Sequence, residues 1–82
     1  MAKRWLYKYG DDAILVINKG FEGSEMYVND VLRDQNTGVS IKDRLVTTLN
    51  NGELVSATLE GMWKMECTLL INNVLQQPVE VK

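Results

Sequence analysis

Histidine is missing from this chain, cysteine and proline occur once each, and no apolar run approaches the ~18 residues that would cross a membrane as a helix. Each absence removes chemistry. Without histidine there is no Ser-His-Asp or Cys-His nucleophile and no imidazole metal ligand. The lone Cys67 makes neither an internal disulfide nor a cysteine-based metal site within one chain; in the run ECTLLIN it reads as a small buried apolar residue. Charge of one sign is also lacking. Nine Lys and Arg stand against eleven Asp and Glu, a net of −2, so no overall field gathers phosphates, and neither nucleic acid nor a membrane surface is expected as a partner. The opening MAKRWLYKYG is basic but carries no signal-peptide core, which reads as cytoplasmic.

What is present is the composition of one globular domain, residues 1–82, with 45% apolar and 24% charged residues. A domain of this size buries only roughly 60–65% of the surface its unfolded chain exposes, which makes a homo-oligomer an expected way to bury more. A protein partner is the other expected occupant of surplus apolar surface.

The stretch YVNDVL, residues 27–32, returns as LLINNVL, residues 69–75. Asn29-Asp30 and Asn72-Asn73 sit between β-formers and tolerate positive φ, as a two-residue type I′ hairpin requires. Such turns pair Val28 with Val31, Ile71 with Val74, Tyr27 with Leu32 and Leu70 with Leu75. The echo extends backwards, because GDDAILVI from Gly10 lies 42 residues before GELVSATL from Gly52. Residues 1–42 and 43–82 then read as two related four-stranded units, each with a longer turn carrying an aromatic ring, Phe21 or Trp63.

The fold class is all-β: about eight short antiparallel strands, at 3–9, 12–18, 24–29, 31–35, 44–50, 53–59, 66–72 and 74–80, in a sandwich or small barrel. Pro78 suits a final edge strand. A helix from Ser40 carrying Ile41, Leu45 and Leu49 on one face competes with the strand at 44–50, but Val46, Thr47 and Thr48 are β-branched and favour the strand.

Candidate functional residues fall into two groups. With a 42-residue offset, Ala13, Leu15 and Ile17 match Val55, Ala57 and Leu59 and form the core face. Ile14 and Val16 then match Ser56 and Thr58 and point outward; with Tyr27 and Leu32 they make a candidate subunit interface, set against burial of both faces in one domain. The second group is Phe21 with Met62, Trp63 and Met65. These rings either plug the ends of the core or form a recognition tip that grips an apolar partner or stacks on a sugar.

Other patterns carry less. In KRWLYKY, Lys3, Trp5, Tyr7 and Tyr9 share a face that could stack bases, yet Trp5 and Tyr7 match positions in the second half that fill the core. Asp34, Asn36 and Ser40 around Gly38 give a partial calcium loop, disabled by Leu45 where a carboxylate is wanted. Asp11 and Asp12 fit a turn better than an acid–base pair, Glu60 and Glu66 near Trp63 have no partner that sets their roles apart, and no phosphate-cradling glycine loop occurs. No catalytic residue, metal site or cofactor is implied.

At YVNDVL, GELVSATLEG and CTLLINN the chain resembles small uncharacterised bacterial all-β proteins, and its paired hairpins are similar to the β repeats of the Fas apoptosis inhibitory molecule family. That resemblance rests on hairpin turns across most of the length and implies an all-β fold with no site residue to carry over. The expected function is a non-enzymatic binding or interaction module that self-associates, with carbohydrate or apolar small-molecule binding at the Phe21 and Trp63 loops as the alternative and a carboxylate-dependent enzyme behind both.

Overall fold

Alternation of β-branched and aromatic residues with polar ones yields nine strands in a computed structural model that describes residues 2–82. They are β1 (Lys3–Tyr9), β2 (Asp12–Asn18), β3 (Ser24–Val28), β4 (Val31–Asn36), β5 (Lys42–Thr48), β6 (Leu54–Glu60), β7 (Glu66–Ile71), β8 (Val74–Gln76) and β9 (Glu80–Val81), with a single 3-10 turn at Gly20–Glu22. One sheet has the order β4-β3-β2-β1-β9, the other β5-β6-β7-β8, and every neighbouring pair is antiparallel. The two sheets stack as a sandwich and do not close into a barrel. The helical alternative from Ser40 loses to β5, whose seven residues pair along β6.

The repeated phrase is explained by its first asparagine. Asn29, Asp30, Asn72 and Asn73 all have positive φ, between 49 and 68°, as a type I′ turn demands. The Asn29 backbone N–H donates to the Ala13 carbonyl (2.8 Å), its Oδ1 accepts from the Ala13 N–H (2.9 Å), and its Nδ2 donates to Asp12. Asn72 repeats this with Leu54 and Glu53. Each asparagine thus extends a ladder past its end, and the four cross-strand pairs expected around the turns are all present.

The second-half hairpin β6–β7 is longer than β2–β3 by one residue on each arm, counted from these asparagines. Ile14 therefore corresponds to Val55 and Val16 to Ala57, a shift of 41, while Val28 corresponds to Ile71, a shift of 43. A one-residue slip moves every side chain of a strand to the opposite face. Ile14 and Val16, expected outside, accordingly lie in the core at 0% exposure, and Ala13 and Leu15 point outward. The core joins Trp5, Tyr7, Ile14, Val16, Met26 and Val28 of one sheet to Leu45, Val55, Ala57, Leu59, Leu69 and Ile71 of the other.

Both open sides of the sandwich are covered. Between β4 and β5 no backbone ladder forms; Asp34 Oδ2 accepts from the Val46 N–H (2.8 Å), and Arg33 and Asn36 donate to the Thr48 and Arg44 carbonyls. Of the partial calcium loop, Asp34 and Asn36 thus staple the two sheets, through an oxygen and an N–H respectively, and Ser40 is bonded to Lys42. On the other side the chain breaks at Gln77–Pro78, where the expected strand 74–80 splits and β9 crosses to pair with β1.

Candidate functional site: an apolar cleft at one end of the sandwich

Strand direction gathers the β2–β3 loop, the β4–β5 linker and the β6–β7 loop at one end of the molecule, about 23 Å from the asparagine turns at the rise of a seven-residue strand. Phe21 and Trp63 occupy the central residue of their respective five-residue loops, since Asn18 pairs with Ser24 and Glu60 with Glu66. The rings do not fold back. Trp63 is 97% exposed, Phe21 85% and Met62 73%, so none of the three fills the core.

Glycines fix both loops. A side-chain carbon on Gly23 would overlap the Asn36 carbonyl, and one on Gly61 would overlap the Lys64 carbonyl, both at positive φ. The Gly61 N–H also donates to the Ile41 carbonyl (2.9 Å), which ties the Trp63 loop to the linker.

Between the loops lies a solvent-open cleft of about 390 Å³, walled by Phe21, Val39, Ile41, Met62, Trp63 and Met65, with Lys3 and Asn18 beneath. All four residues of the expected tip, Phe21, Met62, Trp63 and Met65, line this one cleft; Met65 alone packs partly against the core. Val39 carries no signal in the sequence, and Lys3 stands there only on the β1 face with Trp5, Tyr7 and Tyr9. Ile41 had been weighed only as a helix face, and Lys3 sits one strand-length away from any loop signal.

The polar groups of the cleft are unequally engaged. Asn18 donates to Ser24 Oγ (3.1 Å) and accepts from the Gly20 N–H (3.2 Å), and Ser40 is turned back on Lys42. Lys64 lies 3.7 Å from Glu66, and Lys19 3.2 Å from Glu25. The hydrogen bond from Tyr27, reinforced by Lys19, holds the Glu25 carboxyl below its ordinary range. Lys3 differs: its ammonium donates to the Met65 carbonyl (3.0 Å), lies 5.2 Å from the Trp5 ring centroid, and has no carboxylate partner among the described residues.

The interface group separates. Ile14 and Val16 are core, whereas Tyr27 and Leu32 do lie on the outer face of the first sheet, in a cross-strand row Leu6–Leu15–Tyr27–Leu32. In the core itself, the Tyr7 hydroxyl is buried without a hydrogen-bond partner among the described residues. Burial, reinforced by the nearby Cys67 thiol, pushes this phenol far above its ordinary range although the two form no hydrogen bond of normal geometry. Burial likewise raises the Cys67 thiol, which keeps it protonated and a poor nucleophile at neutral pH. No family model, curated protein or solved structure matches this chain.

Proposed function

We propose that this chain is a non-enzymatic binding module whose site is the loop-end cleft, and that the cleft takes an apolar small molecule or the apolar face of a larger ligand. One observation carries the reading: three large apolar side chains, Phe21, Met62 and Trp63, stand in solvent side by side on loops whose backbones are fixed by glycine. Core packing does not need them there, and contiguous exposed apolar surface is a common mark of a binding site. A pocket of this volume falls at the lower end of the ~300–1,000 Å³ found for small-molecule sites. A sugar would want several hydrogen-bonding groups around the indole, but the neutral polar side chains of the cleft, Asn18 and Ser40, are bonded within the protein and leave only lysine ammonium groups, which favours a mainly apolar ligand.

The test uses Nile red, a neutral dye that fluoresces in apolar surroundings. Trp63→Ala is expected to abolish its binding while unfolding free energy changes by no more than about 0.5 kcal/mol, the usual limit for exposed substitutions. Dye binding unchanged in Trp63→Ala would sink the assignment. A second reading, self-association, is favoured by the apolar row Leu6–Leu15–Tyr27–Leu32 on the first sheet. Arg4 and Glu25 flank Ile17 in an adjacent row, so a two-fold axis along β2 would set Arg4 of each copy over Glu25 of the other. Light scattering from low to high micromolar concentration tests it, and a strict monomer removes it.

A further inference from the structure

We infer that the ligand of the loop-end cleft is an amphipathic anion, a carboxylate at the end of a short apolar body, with Lys3 as the residue that receives the charged end. This rests on the cleft being a binding site at all and adds the class of ligand. The chain carries more acidic than basic residues, yet no Asp or Glu lines the cleft and two lysines do. Of these, Lys64 already has Glu66 beside it.

Lys3 is held differently. It is only partly exposed, its stem lies on the core-facing side of β1, and the Met65 carbonyl and the Trp5 ring fix its ammonium under the mouth of the cleft. An ammonium has three N–H donors, and one of them is used within the described residues. A carboxylate there would be the first opposite charge beside this cation, and charge-assisted bonds are roughly twice as strong as neutral ones. Phe21, Met62 and Trp63 line the same cleft, so a ligand whose charged end meets Lys3 has apolar side chains available for its body. Lys3 thus selects the class of ligand, and the exposed rings supply contact area.

The experiment is a chemical-shift titration of the whole protein, reading the Trp63 indole signal, with octanoate and with its neutral analogue octanol. Octanoate is expected to bind at least tenfold more tightly than octanol, Lys3→Gln to erase that preference, and Lys3→Arg, which keeps a cation, to retain it. Equal affinities in the natural protein, or a preference that survives Lys3→Gln, would overturn the anionic class while leaving the apolar cleft intact. If neither compound moves the Trp63 signal, the underlying binding reading fails together with it.

Discussion

The two ends of this sandwich are built from the same hairpins and have opposite character. At the turn end, Asn29 is bonded to Ala13 and Asp12, while Asn72, Tyr9 and Asn51 all bond to Glu53, whose own N–H donates to Asn51. At the loop end, Phe21, Met62 and Trp63 project into water with no packing partner in the core. Val31 and Val74 are exposed at the turn end as well, but there the polar side chains bond one another, whereas the most exposed rings and thioether stand at the loop end. The difference teaches where to look for function, because surface that folding does not require is retained at a cost in solubility.

The largest effect tests the core that joins the ends. Val16→Glu, which buries an unpaired carboxylate, is expected to leave the chain unfolded by circular dichroism, beyond about 4 kcal/mol of loss. Its neighbour Leu15→Glu is expected to remain folded and, if the protein self-associates, to run as a smaller species. A folded Val16→Glu would undo the assignment of faces. Next comes the turn end. Asn72→Ala removes two side-chain hydrogen bonds and leaves at φ 49° a residue that tolerates the left-handed region less well than asparagine, for a loss of about 2–3 kcal/mol in urea denaturation. Asn72→Gly should recover the backbone part of that loss only.

Smaller again is Tyr7→Phe. Deleting a buried hydroxyl without a partner is expected to be neutral or to stabilise by up to about 1 kcal/mol, and a clear destabilisation would reveal a partner for it. Smallest in stability is Trp63→Ala, where denaturation should barely move although dye binding disappears. A turn-end variant that cost nothing, or a loop-end variant that cost several kcal/mol, would erase the contrast between the ends.

Much of this architecture was legible in the letters. The strand limits of β1 and β2, the type I′ geometry of both asparagine turns and the pairs Val28–Val31 and Leu70–Leu75 follow from β-propensity and from which residues tolerate positive φ. The faces of β2 did not follow, because the 42-residue offset read from Gly10 and Gly52 holds at the Phe21 and Trp63 apices, whereas β2 aligns with β6 at 41; the 43-residue offset of the asparagine turns does hold along β3 and β7. Hairpin arm length is set by how many pairs each core layer fills, which composition does not encode. The tip residues Phe21, Met62, Trp63 and Met65 were visible as aromatics and thioethers in polar loops, but whether they plug the core or leave it depends on the loop backbones, which residue identity alone does not set. Lys3 was visible as a cation beside aromatics on β1 but not as part of the cleft, because the carbonyl that holds it lies 62 residues away in the sequence.

The crossing of β9 from one sheet to the other bears on how the fold closes. Arg4 and Lys82 exchange both backbone bonds, and the Val79 N–H donates to the Leu6 carbonyl (2.7 Å), so β1 is an inner strand only after residues 79–82 have arrived. Until they do, the outer edge of β1 presents unpaired amides and carbonyls, a template for pairing with another chain. Closure of that edge is the longest-range event in the fold. Detachment of β9 is therefore the local opening that would most expose this fold to misassembly.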